Sequence, residues 1–526
     1  MRQSLSIGIT DLQPGWKRIL EQEGLPWREC SLGKPVKPAE FALIIISGRL
    51  GKKQAQNALE FAGSGGALLV PYGFAKHLLP DLDFKEHFVK FIQRPHGVFF
   101  HGTGLTWLHG KAAVFEGHKA PVPTEKRVGK GRILVLPFDP NEATLDGRYE
   151  RRGFFAKKAF PAEFAPMASK RNVRTIAMNC IRALFDARDL PLVQKWYYPH
   201  SYKSVFSFHI DVDCFDNDTL TTIALMNRLG IPALWFPNME AACKSPDPAI
   251  MCELKKQPHM GQHAFEHNYF SDSLSAYKNA LKGDREAKKA GLAPQSFSAP
   301  NGVWGPGIAL AVEKTGYPFA MGFALDGDNL PFYPMLSACE QAKFLFLPTH
   351  PVCIGMLKSY DFSEKDMVHY FRMVIERNSA LNLPIFLYSH PFKEMARFHR
   401  VVEEIASDIR ARHDIWLTDH ASFAGWWKKR GKISFSAAFD GRAIMIRCKN
   451  VPGASLAITM GSKRYLVRAK NQSVKPHALV GGEQLFRHII RDTVQKPSGF
   501  GKKYLLKKAA GHGLNLVRKV RKKING

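Results

Sequence analysis

The sequence predicts an α/β protein with a repeated strand–helix unit at its centre, and three observations carry that expectation. Seven short apolar runs of strand length between 204 and 418 are separated by helical or long intervening stretches. An earlier set of such runs, before 145, is apolar without alternation, as strands buried on both faces of a parallel sheet are. After 431 the pattern changes to brief alternating runs divided by turn residues, which reads as a small β-domain.

Five segments follow. Residues 1–145 carry strands at SLSIGIT (4–10), FALIIIS (41–47), ALLVPYG (67–73) and GRILVLPFD (131–139), with a glycine-closed helix at 52–66. Residues 146–200 are basic and contain the helical run 172–189, expected as a linker with a docking helix. Residues 201–430 hold strands at 204–210, 231–236, 296–299, 318–323, 344–348, 384–389 and 415–418. Between the first two, 216–230 has an Asx-type N-cap, a helical apolar period and a closing glycine. Repeated units of this kind suggest a barrel, closed or incomplete. Residues 431–495 form the expected small β-domain. The segment 496–526 has ten Lys/Arg and no acid.

Composition narrows the class. Hydrophobic residues make up 45% and charged residues 23%, enough for packed cores. The formal net charge of +29 favours acidic partners: anionic glycans, phospholipid surfaces or nucleic acid. No run reaches the roughly 18 apolar residues of a membrane helix. The start lacks a basic region followed by an apolar one, so no signal peptide is expected. Eight scattered cysteines without a CxxC pair read as reduced, mostly buried thiols of a cytosolic protein.

Three strand ends hold the residues with chemical potential. In FHIDVD, Asp211 and Asp213 are two apart and point the same way from an extended segment. Alone, such a pair is more often a solvated turn. In MGQHAFEHNYF (260–270), His263 and His267 stand at i, i+4, one face of a helical turn, where two imidazoles can share a metal. His259 lies four before His263, so spacing alone leaves two pairs open. In LYSHP (387–391), His390 ends an apolar strand, a place where a rim or core histidine is equally at home. Together, Asp, His and His suffice for a divalent cation with one position open to water. A further Asp and His beside them supply the base and acid of a hydrolysis.

The order D-x-D, G-x-H-x-x-x-H, a Pro/Gly loop and L-x-S-H resembles the polysaccharide deacetylases, the NodB-type carbohydrate esterases, over roughly 200–425. The resemblance implies a distorted (β/α) barrel of NodB type and removal of N-acetyl groups from an amino sugar, in bacterial-type polysaccharide biosynthesis. It implies a metal site of Asp213, His263 and His267, with Gly261 selecting that pair over His259. The cation would be zinc, with cobalt, nickel or manganese as alternatives. It makes Asp211 the catalytic base and His390 the acid. An Asp that orients His390 is expected at Asp328, with Asp326 as the alternative. The loop FSAPNGVWGPG places Pro300, Asn301, Gly302 and Trp304 at the substrate. It has Ser298 where the family has an arginine beside the base, and Asn301 where it has an aromatic. His209 either substitutes for that arginine or fills the core. Trp235, Phe265 and Tyr269 are further candidates for stacking on sugar rings, or for the core.

The first segment resembles the Rossmann-like amidotransferase-type domains, on its "EFAGSGGALLV" and "GKGRILVLPFDP" runs. Its one cysteine, Cys30, is not on a strand-to-helix elbow, so the domain is expected to be non-catalytic. The expected partner is an N-acetylated sugar, nucleotide- or lipid-linked, handled in the cytoplasm. The basic tail either lies on the anionic inner membrane face or is solvated. Nucleic acid is not expected, since no recognition fold accompanies the charge. The competing expectation is a catalytically inactive glycan-binding or assembly protein that keeps the barrel.

Overall fold

A computed structural model describes residues 2–485, apart from 94–96, 155, 157–158, 245 and 271. The basic tail expected at 496–526 lies outside the described residues. The fold is mixed α/β.

The apolar runs of the first segment become a six-stranded sheet in the order Trp27–Glu29, Ile7–Ile9, Leu43–Ile45, Ala67–Pro71, Gly131–Leu136, Thr124–Val128. The first five are parallel and the last is antiparallel. Period-two alternation divides their side chains between two cores. Ile7, Ile9, Leu43, Ile45, Leu69 and Leu134 face one, and Ile44, Leu68, Val70, Ile133 and Val135 face the other. The second core is closed by helix Lys52–Gly63 through Ala58 and Phe61. The first is closed by helix Lys170–Asp186, through Ile176, Cys180, Ile181 and Leu184. The helix expected in a linker is therefore an integral layer of the sheet it follows.

Strands Ser204–Val212, Ala233–Pro237 and Ile385–Ser389 form a parallel sheet, and Ile415–Leu417 pairs with the start of the first. A second parallel sheet joins Ser296–Ser298, Phe319–Gly322 and Leu345–Pro348. Single parallel bridges, Trp235 with Met260 and Gln262 with Phe297, link the two along one side. On the other, the His350 N–H donates to Phe386 O at 2.9 Å. Helix Asn217–Leu229 begins where Asp216 accepts the Asp218 N–H and stops at left-handed Gly230, as its sequence requires. Helices Glu364–Ala380 and His399–Arg410 pack Phe371, Val374, Val401 and Ile405 against the strands. The strand ends at 211, 298, 322 and 390 open on a common cavity.

The antiparallel strands after 431 make two sheets, and each takes in a strand from earlier in the chain. Phe435–Phe439 pairs with Gln3–Ser4, and Ser455–Met460 pairs with Leu192–Lys195. Their side chains Ile446, Leu456 and Ile458 share a core with helix Lys170–Asp186. Among the described residues, no helix is long and apolar enough to cross a membrane.

Candidate metal centre and active site

The site is built on the carboxyl end of strand Ser204–Val212. Asp211 is its penultimate residue and Asp213 follows the strand. His263 arrives on an irregular segment rather than on the helical turn that its i, i+4 spacing with His267 suggests. Met260 and Gln262 make single bridges to strands on either side, and the His263 N–H donates to Pro237 O. Ala264 then turns into the left-handed region at φ 57°, and Gln262 Oε1 accepts its N–H. Asn238 Nδ2 donates to the carbonyls of His263 and Phe265 and fixes the segment. The reversal at Ala264, not a helix repeat, brings the two rings to 4.9 Å between centroids.

Asp213, His263 and His267 each offer a ligand atom within 4.8 Å of the others. His263 Nε2 is 3.6 Å from Asp213 Oδ1, and His267 Nε2 is 3.6 Å from Asp213 Oδ2. His263 Nδ1–H donates to the backbone carbonyl of Ser298 at 2.9 Å. A carbonyl cannot donate, so this bond places a proton on Nδ1, and in the neutral ring the Nε2 lone pair then faces Asp213. Both His263 Nε2 and Asp213 Oδ1 are buried without a hydrogen-bond partner. Two orphaned acceptors facing each other are costly unless a cation lies between them. The residues fit a divalent metal on that ground. Burial and the neighbouring His263 hold the His267 imidazole below its usual pKa, so its nitrogen stays a neutral donor. His259 is elsewhere, 3.5 Å from Asp419.

Asp211 is 4% exposed. Its Oδ1 lies 3.8 Å from His263 Nδ1 and has no hydrogen-bond partner, and its Oδ2 lies 3.6 Å from His209 Nε2. Burial pushes this carboxyl up, but His263 and His209 outweigh it and hold it well below the usual carboxylate range. His209 thus stands beside Asp211, where the resemblance expects an arginine. Its ring is stacked on Tyr388 at 5.4 Å.

Across the cavity, His390 Nε2 is 3.7 Å from Asp213 Oδ2. Its orienting acid is not Asp328. That carboxylate is spent on His350 Nδ1 (2.8 Å), Arg377 (2.5 Å) and Asn378 (3.0 Å). Asp326 is held in a different cluster, accepting from Asn329 with Lys170 beside it. The orienting residue is Glu394, four residues after the histidine. His390 Nδ1 donates to its carboxylate at 3.0 Å, and Ser389 Oγ donates to the same group at 2.7 Å. Burial alone would lower the His390 pKa, but the Glu394 charge outweighs it and raises it well above the usual value. Gly355 makes room for this carboxylate, since a Cβ there would sit 1.8 Å from Glu394 Oε1. No catalytic motif marks Glu394. The only sequence signal was a carboxylate at i+4 from a strand-end histidine.

A cavity of about 290 Å³ joins these groups. Asp211, His263, His267, Asn301, Gly302, Phe323, Tyr388 and His390 line it, and so do Glu163, Cys353 and Met356. Glu163, from the hairpin strand Ala162–Pro166, has its carboxyl pushed up by burial. Of the loop residues expected at the substrate, Asn301 and Gly302 reach this cavity. Trp304 does not: it is 6% exposed and packs edge-on against Phe346 at 4.8 Å. With Pro300 and Tyr269 it lines a separate cavity. Trp235 is buried, and Phe265 lies under Lys282.

No protein-family model matches this chain, and no curated protein does. Solved structures it resembles include polysaccharide deacetylases, members of carbohydrate esterase family 4 and an allantoinase, these at 10–14% identity. A putative polysaccharide deacetylase from Mycobacterium smegmatis aligns at 14% identity and a TM-score of 0.37, over 44% of this chain and 93% of that one. Agd3, described as a novel carbohydrate deacetylase, aligns at 10% identity and 0.39, over 92% and 100%. A family 4 pseudoenzyme from Bacillus anthracis aligns at 10% identity and 0.31, over 43% and 68%.

Proposed function

We propose that this chain is a metal-dependent hydrolase that removes N-acetyl groups from an amino sugar in a glycan or glycan precursor. One observation carries the reading: two buried atoms without partners, His263 Nε2 and Asp213 Oδ1, face each other beside a second carboxylate and a paired imidazole. A divalent cation held by Asp213, His263 and His267, zinc being the first choice for this donor set, would polarise the acyl carbonyl and lower the pKa of bound water.

The chain's own residues account for the proton traffic. Asp211 is ionised and has an unpartnered oxygen, so it can accept the proton of the attacking water. Water adds to the acyl carbon, the C–N bond breaks, and acetate separates from the amine. His390, kept protonated by Glu394, delivers the proton the leaving nitrogen needs. Phe323, Met356 and Tyr388 give the cavity an apolar wall for the acetyl methyl and limit competing water. The carrier of the sugar is proposed as a nucleotide or lipid, with an anionic membrane surface as a further partner of the basic tail.

The test is acetate release from a panel of N-acetylated sugars, free, nucleotide-linked and lipid-linked, by metal-loaded protein. Asp211→Asn should lower release by about 10²–10⁴-fold, the span of one proton-transfer role, with metal content unchanged. No release from any member by the wild-type protein would end the reading. Unchanged release in the variant would remove Asp211 from the mechanism.

A further inference from the structure

Cys353 is the N-cap of helix Ile354–Ser359, 5% exposed, and lines the cavity just described. Its sulfur, a ring nitrogen of His390 and a carboxylate oxygen of Glu394 all lie within 4.8 Å of one another. We propose that Cys353, His390 and Glu394 form a second divalent-cation site, selective for thiophilic ions, adjoining the Asp213–His263–His267 centre.

Three arguments support it. The donor set is one thiol, one imidazole and one carboxylate, which suits zinc or cadmium, whereas magnesium and calcium select oxygen ligands. The ligands are held in place before any ion arrives. Glu394 is fixed by Ser389 Oγ and the His390 N–H, Cys353 accepts the Met356 N–H at 3.4 Å, and the missing side chain at Gly355 leaves room for the Glu394 carboxylate. An ion can also reach them, because all three line the same cavity. Binding releases two protons to solvent, one from the Cys353 thiol and one from the His390 ring nitrogen that takes the ion, forms a sulfur–metal and a nitrogen–metal bond, and replaces the His390–Glu394 hydrogen bond with metal ligation. An ion there would occupy the imidazole that the proposed reaction uses as its acid, so excess zinc would inhibit. That consequence rests on the function proposed above, but the site itself does not.

The experiment is a titration of the chelator-stripped full chain with cadmium. It is read by bound metal per chain and by the ultraviolet thiolate-to-cadmium absorption. The wild type should show this band at saturation. Cys353→Ser and Glu394→Gln should each bind one ion fewer and lose it. His263→Ala should bind one ion fewer and keep it, which separates this site from the first. A band that persists in Cys353→Ser would belong to the exposed Cys243, Cys252 or Cys339 and would overturn the proposal. So would equal metal content in Cys353→Ser and the wild type. Should the first centre fail to exist, His263→Ala would lose no metal while the Cys353-dependent band remained.

Discussion

His390 Nδ1 lies 3.0 Å from both carboxylate oxygens of Glu394. This pair sets the protonation state of the imidazole that faces Asp213. Burial disfavours the imidazolium and the Glu394 charge favours it, with the charge prevailing. A histidine with a raised pKa keeps its proton through neutral pH and loses it on the alkaline side. Activity that depends on His390 as acid should therefore fall on an alkaline limb. Glu394→Gln removes the charge and leaves the burial, so that limb should move to lower pH. The pH profile of acetate release checks this, and an unmoved limb would separate Glu394 from the acid's titration.

His263 and His259 share the four-residue spacing that left the metal-binding pair open in the sequence. His263→Ala removes an Nε2 that faces Asp213 without a hydrogen-bond partner, and should abolish stoichiometric binding at this centre. His259→Ala removes a partner of Asp419 and should leave metal content at the wild-type level. Elemental analysis after dialysis distinguishes them. Equal retention in both variants would mean that the ion, if any, sits elsewhere.

Much of this site was legible in the sequence because strand ends are. The D-x-D pair and the strand-end histidine follow apolar runs whose exits point to one side of a parallel sheet, whereas the G-x-H segment follows no such run and was legible through the resemblance. Local conformation was less legible. The spacing of His263 and His267 reads as helix, but the pairing of Met260 and Gln262 with neighbouring strands overrides it, and Ala264 makes the turn. The orienting acid was missed for a related reason. Asp328 follows a strand, as expected of such a residue, but Arg377 and His350 arrive from distant elements and capture it. Glu394 is local to His390 and its position depends on the absence of a side chain at Gly355, which no periodicity reveals. Helix Lys170–Asp186 looked like a linker because the sheet it covers ends long before it begins.

Asp328 gives a prediction about stability. Burial pushes its carboxyl up, but Arg377 and His350 prevail and hold it far below its usual value. A carboxylate with a folded-state pKa below its unfolded value of about 3.9 contributes stability above that value. The contribution is lost as pH falls below it toward the folded pKa. Asp328→Asn should cost about 3–5 kcal/mol at neutral pH, because it removes a buried carboxylate charge that pairs with Arg377 and His350. The gap between variant and wild type should then narrow below pH of about 4. Urea unfolding at a series of pH values measures this, and a gap independent of pH would show that the carboxylate's ionisation contributes nothing.

Gly302 connects the loop at 300–302 to Asp211. It has φ 64°, and a Cβ there would lie 2.2 Å from the Phe323 ring. That ring is stacked on Tyr388 at 5.4 Å, and Tyr388 is stacked on His209, which stands beside Asp211. Alanine at 302 must therefore push a line of three rings whose far end is the imidazole that helps keep Asp211 ionised. Overpacking of this kind costs about 1–3 kcal/mol. Gly302→Ala should lose that much stability in urea and should also raise the pH at which the acid limb of acetate release falls. A loss of stability with the acid limb in place would mean that Phe323 yields alone and the displacement never reaches His209.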